Sequence, residues 1–431
     1  MNNFNNNAGY YNNNFSQPAY NNNQHNTGNL QGQGFAPNCS YGNPANSQVN
    51  YNYYNPPVTM NPNVSNNQQA YNHQAYNQQR YYNNPANNCV GNVMPNVVYN
   101  PEQLKKEMKE AEEVKDIKRS ANRSAGGLLI FSGITEILGI VLISLISLTG
   151  AYDLYNSDYI NGIEPVTMYI VNAIVCLVGF GVGAIIITKV NKLRLDDVIK
   201  IKKVNAIDTV KFTIASMGFV YVFNLLLMLM NVNLNLFGFE NETSDYGEIN
   251  GLWGNIIYFI AVAIVPPIIE EFIFRGAILG SLRKHGDALA IIVSAVLFGF
   301  MHGNFIQTPV TFLTGLILGY LTVKTNSIIP AMILHFVNNA WAVLYEILEK
   351  LINNENIILI IDSAVALFLL GVGLICTVSL VKKHKNDLFT FEKPDTELTM
   401  SKRLRYCFTT PCMIIFTIYT VIMCFYSVAV Q

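Results

Sequence analysis

The chain has 431 residues, of which 51% are hydrophobic and only 13% are charged, and its formal net charge is −1. Soluble globular domains carry about 25% charged residues, so this composition indicates a membrane protein. A net charge near zero suggests no nucleic-acid partner. The seven cysteines are scattered without CxxC spacing, which favours neither a zinc ribbon nor a disulfide framework.

Residues 1–100 are rich in Asn, Gln and Tyr and poor in charged and aliphatic side chains. Such a composition cannot build a packed core, so it predicts a disordered, prion-like tail. The favoured interpretation is a tether without specific function. The alternative is a tyrosine-rich segment for self-association or wall contact.

Residues 101–124 differ from the tail because charged side chains are dense between 102 and 119. Pro101 suits the first position of a helix. Lys106 and Glu110 form an opposite-charge pair four residues apart. The segment therefore predicts a charged, solvated juxtamembrane helix with a thin apolar stripe.

Residues 125–431 alternate apolar runs of membrane-spanning length with short polar links. The pattern predicts an all-α polytopic membrane protein with about 8–9 transmembrane helices. We expect the run at 252–274 to continue as a helix to about 282, and the run at 288–303 is short for a span. The predicted spans are 127–149, 166–188, 210–231, 252–274, 288–303, 309–323, 328–348, 357–381 and 407–430.

The Lys and Arg residues of the links fall on one side of the predicted spans almost throughout. By the positive-inside rule this side is the cytoplasm, so the sequence predicts a multi-pass protein of the cell membrane with a cytoplasmic N-terminal tail. With nine spans the C-terminus lies outside the cell. If one span is miscounted, the C-terminus lies in the cytoplasm instead.

Glu270, Glu271 and Arg275 lie within an otherwise apolar run from 252 to 282. A charge at membrane depth costs at least ~2.5–3.5 kcal/mol, so such residues usually face a bundle interior and serve a function. Glu271 and Arg275 are four residues apart and can pair on one helix face. Glu270 lies about 100° round the helix and is free to face another partner.

Two further polar clusters lie in the following spans, at His302 and at His335 to Asn339. Glu270 and His302 are each about 15 residues from the turn between their helices, which places both ~23–25 Å from it. His335 and Asn339 share a face four residues apart, with Asn338 beside them. We therefore expect Glu270, His302, His335 and Asn339 to meet in one intramembrane pocket. A third, weaker cluster, Asn304 and Gln307, is expected in a link at the outer surface.

The motifs Glu270-Glu271-x-x-x-Arg275, Phe298-x-x-x-His302 and His335-x-x-x-Asn339 occur in this order over 252–348. Together they resemble the CAAX-protease and bacteriocin-processing (CPBP, or ABI) family of intramembrane proteases. The resemblance implies a four-helix catalytic core at 252–348. It does not extend to the tail, to the first three spans or to the last two. The tail resembles no prenyl-binding element, so the use of prenylated substrates does not follow.

Peptide hydrolysis needs an activated water and a stabiliser for the tetrahedral oxyanion. Glu270 is the candidate general base, with His302 holding the water. His335 and Asn339 are candidate oxyanion donors. The resemblance implies the same roles, with Glu271, Arg275, Asn338 and Phe298 supporting them.

Metal dependence stays open at this point. Glu270, His302 and His335 are also a possible set of ligands for zinc or another divalent cation with one open position. The family is often described as metalloproteases, yet water activated by glutamate and histidine without a metal is also proposed for it. The chain has no HExxH motif.

The favoured function is thus an intramembrane endopeptidase that acts on a membrane-associated protein or peptide. One alternative is a proton-coupled transporter, because buried Glu and His also form proton relays. The other is a proteolytically silent membrane scaffold in bacteriocin immunity or secretion, with the tail as its working part.

The orientation can be tested by labelling from outside the cell. Cysteines substituted at Asn50 and Asp387 should resist a membrane-impermeant thiol reagent until the membrane is opened, because basic residues flank both positions. Labelling of either position in intact cells would contradict the predicted topology.

Overall fold

The computed structural model describes residues 100–149, 163–202, 205–241, 249, 251–352, 354–385, 387–388 and 390–430. Apart from Asn100, the predicted tail lies outside these residues. The described elements are helices, as predicted, apart from two strands of three residues each. The strands β1 (Phe239–Asn241) and β2 (Val428–Val430) are antiparallel, and they pair two segments that follow different helices.

The elements follow one another in this order: α1 Pro101–Leu148, α2 Pro165–Val190, α3 Leu195–Val198, α4 Ala206–Leu236, β1 Phe239–Asn241, α5 Gly251–His285, α6 Asp287–Met301, α7 Gln307–Thr325, α8 Ile329–Ile352, α9 Glu355–Lys383, α10 Met400–Phe408, α11 Pro411–Tyr426 and β2 Val428–Val430.

Within the described ranges, six helices are long and apolar enough to cross a membrane, and up to seven if α10 and α11 form one bent span. This is fewer than the 8–9 predicted. The helix α6 has 15 residues, which is short of the ~20 that a bilayer requires. The predicted span 407–430 is not straight either, because α10 and α11 meet at 73°.

The predicted charged helix and the first predicted span form one continuous helix, α1, of 48 residues. Its charged half is largely exposed from 101 to 116, and burial begins at Ile117 and Ala121. Lys109 donates to Asp395 at 2.7 Å, and this ammonium holds the pKa of the Asp395 carboxyl below its usual value. The charged half of α1 is thereby attached to the link before α10.

The links rich in Lys and Arg gather at one end of the bundle. Arg283 donates to the side chain of Asn326 at 2.6 Å, and Lys324 donates to the carbonyl of Asp387 at 2.5 Å. The β1–β2 pair lies at the opposite end, where the Phe305 N–H donates to the hydroxyl of Ser427. The alternation of links between two ends thus agrees with the charge pattern of the sequence.

The helix α5 is irregular on both sides of its carboxylates. It contains π-helical turns at Ile260–Ile264 and at Phe272–Ile278, and it carries on to His285, slightly beyond the predicted end. Pro266 and Pro267 lie between the two turns and lack the N–H groups that would continue the hydrogen-bond ladder. Such turns are frequent at functional sites.

The hairpin of α6 and α7 is held close by glycines. A Cβ on Gly299 would lie 2.9 Å from the Phe312 Cβ and from the Thr308 carbonyl oxygen. A Cβ on Gly315 would lie 3.1 Å from the Ala295 Cα. Small residues allow membrane helices to approach closely, and here they set the position of the α6 face that bears Phe298 and His302.

Gly299→Ala should lower the melting temperature of the detergent-solubilised protein, because overpacking costs about 1–3 kcal/mol and outweighs the gain in helix propensity. Gly371→Ala in α9 is the matched control, since no atom lies within 4 Å of the added Cβ. That variant should be as stable as the parent or slightly more so. Equal melting temperatures for the two variants would contradict the packing.

Candidate active site

A cavity of about 190 Å³ lies between α4, α5, α6, α7 and α8. It contains six of the eight residues singled out from the sequence, while Glu271 and Arg275 lie behind its wall. Nine of its twelve lining residues are polar or charged, although they come from apolar helices. The lining residues are Val220, Asn224, Glu270, Phe298, His302, Gln307, Val310, Thr311, Thr314, His335, Asn338 and Asn339.

Behind the cavity, Glu271 and Arg275 form an ion pair whose side chains are both 0% exposed. The guanidinium Nη1 lies 3.0 Å from the Glu271 Oε1, as the spacing of four residues predicts. A second nitrogen of Arg275 donates to the Gly315 carbonyl at 3.4 Å. Because a buried charge without a partner is strongly destabilising, this pair constrains the structure around it.

Phe298 connects the ion pair to both histidines. The Arg275 guanidinium lies 4.3 Å from the centre of the Phe298 ring, in cation–π geometry. The same ring contacts His302 at 5.0 Å and His335 at 5.7 Å between centroids, edge to face. Phe298 therefore restricts the orientation of both imidazoles.

His335 is held by the carboxylate of Glu271, a contact that the sequence did not predict. The His335 Nδ1 lies 2.9 Å from the Glu271 Oε1, and its Nε2 lies 3.9 Å from the Glu270 Oε2. The Glu271 carboxylate is the partner of the Arg275 guanidinium and accepts here as well, so Nδ1 carries the hydrogen. This leaves Nε2 as the nitrogen that faces Glu270.

His302 is held by its own helix. Its Nδ1 lies 2.9 Å from the Phe298 carbonyl oxygen, one turn earlier. A carbonyl only accepts, so Nδ1 carries the hydrogen and Nε2 of the neutral ring bears a lone pair. His302 can therefore accept a hydrogen bond from a water in the cavity.

Glu270 faces the cavity and has a more accessible side chain than Glu271. Its side chain is 14% exposed, and its Oε2 has no hydrogen-bond partner among the described residues. The two adjacent carboxylates thus have different environments. Each has an Oε2 without a hydrogen-bond partner within the described ranges, but Glu271 is fully enclosed and contacts Arg275 and His335 through Oε1, whereas Glu270 lines the cavity.

Asn339 supplies a hydrogen bond that the backbone of α5 cannot make itself. The carbonyl of Val262 would be bonded by the N–H of residue 266 in an α-helix or of residue 267 in a π-helix, and both are proline. The Asn339 Nδ2 donates to this carbonyl at 3.1 Å, and Asn338 donates to the Asn339 Oδ1 at 3.2 Å. Asn339 was expected as an oxyanion donor, and one of its two N–H groups is already committed.

Two residues that line the cavity were not predicted to belong to the site. Asn224 of α4 lines it, although only α5, α6 and α8 were expected to supply site residues. Gln307 lines it as well, although it was placed in a link at the outer surface. A polar amide within the apolar run of α4 is the signal that could have indicated Asn224.

The donor set does not fit a metal ion in this arrangement. Within the described ranges, no three His, Cys, Asp or Glu side chains are grouped so as to hold one. The proposed ligands Glu270, His302 and His335 line the same cavity without converging on one point.

Comparison with known proteins agrees with the motifs. Residues 252–341 match the family described as type II CAAX prenyl endopeptidase, Rce1-like. This segment is a CPBP-family domain. All eight residues predicted for the site lie within it, whereas Asn224 lies outside.

One curated relative is the membrane-embedded CAAX protease MroQ of Staphylococcus aureus (strain USA300), which is 30% identical over 100 residues. The similarity covers 22% of this chain and 40% of that protein, so the chain matches less than half of the relative's length. No solved structure matches the chain significantly.

The adjacent carboxylates allow a stability test with an internal control. Glu271→Ala should lower the free energy of unfolding by about 3–5 kcal/mol, because Arg275 is then buried without a partner. Glu270→Ala should change stability much less, since the Glu270 Oε2 has no hydrogen-bond partner among the described residues. Thermal unfolding in detergent measures both.

The double variant Glu271→Gln with Arg275→Ala should recover part of the loss, because no unpaired charge remains in the core. Equal losses for Glu270→Ala and Glu271→Ala would contradict the division between a cavity carboxylate and a structural one.

Proposed function

We propose that the protein is an intramembrane endopeptidase that hydrolyses a peptide bond in a membrane-associated protein or peptide. The observation that carries this proposal is the cavity in which Glu270, His302 and His335 meet from three helices. The match of residues 252–341 to an endopeptidase family supports it independently.

In the proposed mechanism, Glu270 is the general base. A water in the cavity donates one hydrogen bond to the Glu270 carboxylate and a second to the His302 Nε2, which the Phe298 carbonyl keeps in the accepting tautomer. Glu270 takes the proton as the water oxygen attacks the scissile carbonyl carbon. The two acceptors, on α5 and next to the end of α6, position the water before the reaction.

His335 stabilises the negative oxygen of the tetrahedral intermediate. The mechanism takes His335 as an imidazolium, because both of its ring nitrogens then carry a hydrogen. Nδ1–H of this ring donates to Glu271 and Nε2–H donates to the oxyanion. The remaining N–H of Asn339 is the second candidate donor, and Asn338 keeps its amide oriented.

Collapse of the intermediate breaks the carbon–nitrogen bond. The proton held by Glu270 passes to the leaving amine, which restores the carboxylate for the next cycle. The step requires one water and one peptide bond and no further reactant. No step is assigned to a metal, because the donor side chains are not grouped to hold one.

For the whole chain, we propose that the basic end of the bundle and the tail 1–100 face the cytoplasm. The tail then acts as a tether, 101–124 as a charged connection, 125–431 as the transmembrane domain and 252–348 as the catalytic core. The lipid bilayer is the surrounding solvent, and the substrate reaches the cavity from within it.

The mechanism predicts that Glu270→Ala, His302→Ala and His335→Ala each abolish cleavage while the protein stays in the membrane. Glu270→Ala removes the base, His302→Ala the water position and His335→Ala the main oxyanion donor. Asn339→Ala should lower the rate about 10²–10³-fold, as for one oxyanion donor. A reconstituted cleavage assay with mass-spectrometric detection of new termini measures these rates.

Thr311→Val is the matched control. Thr311 lines the same cavity, but its hydroxyl donates to the Gln307 carbonyl within α7, and valine keeps its shape. This variant should cleave at close to the parent rate. Cleavage by the Glu270→Ala protein would contradict the proposed mechanism.

A further inference from the structure

The helix α10 lies across the basic end of the bundle rather than through it. It meets α11 at 73°. The helix α11 runs the length of the bundle: the Cys412 N–H donates to the Asn122 side chain of α1 at 2.9 Å, and Ser427, just beyond the other end, accepts from the Phe305 N–H. Because α10 is steeply inclined to this spanning helix, it lies close to the plane of the membrane surface.

The helix α10 has a buried face and a basic outer face. Cys407 is fully buried, whereas Lys402 and Arg405 are exposed. Lys402 lies 4.0 Å from the Glu110 carboxylate, but the Arg405 guanidinium has no hydrogen bond or ion pair among the described residues. An amphipathic helix with a basic outer face is typical of helices that lie at a membrane surface.

The helix α1 brings further cations to the same place. The Lys118 ammonium lies 5.2 Å from the centre of the Tyr406 ring on α10. Three more cations recur along α1 at intervals of four residues, and none of their side chains has an ion pair in the part of the chain that the structure describes. We name this group the α1–α10 basic patch; it consists of Lys115, Lys118, Arg119, Arg123 and Arg405.

The α1–α10 basic patch lies at the level of the lipid headgroups. Arg123 and Arg119 are ~3 and ~9 Å before the apolar run that begins at Ala125, and the headgroup region is ~5–8 Å thick on each side of the hydrocarbon. At 100° per residue, Arg119 shares a face of α1 with Ile130 and Ile137, which are 47% and 65% exposed. The cations therefore lie at the edge of the face of α1 that meets lipid.

The carboxylates of the charged half of α1 do not neutralise this patch. Asp116 accepts from Lys284 at 2.5 Å, and Glu113 accepts from the Thr396 hydroxyl. Both partners lie away from the lipid-facing side of α1. Cations gathered at a headgroup surface attract anionic lipids.

We propose that the α1–α10 basic patch binds the headgroup of an anionic phospholipid in the leaflet at this end of the bundle. The guanidinium groups of Arg119 and Arg405 offer forked donors that match phosphate oxygens. The acyl chains then lie along the exposed isoleucines of α1. Inorganic phosphate has no such chains, so a lipid fits the surface better. The proposal does not depend on the proposed catalytic activity.

The patch can be tested by native mass spectrometry of the full chain in detergent, titrated with phosphatidylglycerol or with zwitterionic phosphatidylcholine. The test variant is Arg119→Gln with Arg405→Gln. The matched control is Lys382→Gln with Lys385→Gln, which also removes two exposed cations from the basic end, at the end of α9 and outside the patch.

The parent should bind phosphatidylglycerol more tightly than phosphatidylcholine. Each cation removed from a headgroup surface should weaken the binding of an anionic lipid about fivefold, so the test variant should lose about 25-fold in affinity for phosphatidylglycerol. The control should bind like the parent. Added NaCl should weaken phosphatidylglycerol binding more in the parent than in the test variant, and inorganic phosphate should not displace the lipid.

Unchanged phosphatidylglycerol affinity in the test variant would overturn the proposal. An equal loss in the control would show that any cation at this end suffices, and would overturn the assignment to this patch. Displacement by inorganic phosphate would overturn a lipid as the occupant. Both substitutions are at exposed positions, so the melting temperature without lipid should stay that of the parent. If the double variant does not fold, Arg119→Gln and Arg405→Gln alone serve as the test, at about fivefold each.

Discussion

The arrangement of the site depends on the two contacts that the Glu271 carboxylate makes. One oxygen of this buried side chain contacts both Arg275, on its own helix, and His335, on α8. The guanidinium and the carboxylate are costly to bury unless they are paired, and movement of α8 away from α5 would remove the His335 contact from this buried carboxylate. The same contact fixes which nitrogen of His335 faces Glu270. The ion pair in the core and the orientation of His335 thus depend on the same oxygen atom, Oε1 of Glu271.

Much of the architecture follows from the sequence because lipid permits few alternatives. Apolar runs must be helical to satisfy their backbone, and polar residues within them must face the interior, which is why Glu270, His302 and His335 could be predicted to meet. The predicted count of 8–9 is higher than the six or seven candidate spans of the described residues because it included α6, which is short, and α7, neither of which qualifies, and because the last apolar run bends between α10 and α11. A hydropathy profile gives the length and polarity of an apolar run, but it does not show how the helices pack or where they bend.

Contacts between helices could not be predicted in the same way. The spacing of Glu271 and Arg275 indicates their pairing, but it carries no information on His335, which lies 64 residues away. Asn339 fits an oxyanion donor by position, and only the three-dimensional structure shows its bond to Val262. Asn224 stands out as a polar residue in the apolar run of α4, but the sequence does not indicate which helices it faces. These features arise from tertiary packing rather than from local pattern.

The pairing of Glu271 with Arg275 inside α5 also bears on how the protein is made. During synthesis α5 enters the membrane before α8, yet its two most buried charges already neutralise each other four residues apart. At that stage the Val262 carbonyl has no hydrogen-bond donor, because Asn339 lies 77 residues downstream. The Glu271 carboxylate likewise lacks its contact with His335, which lies 64 residues downstream. A nascent chain that ends before α8 therefore inserts with its charges balanced but has no complete site. Arrival of α8 supplies the missing hydrogen bond to α5 and the second histidine in one event, so the proposed catalytic site is complete only when its helices have assembled.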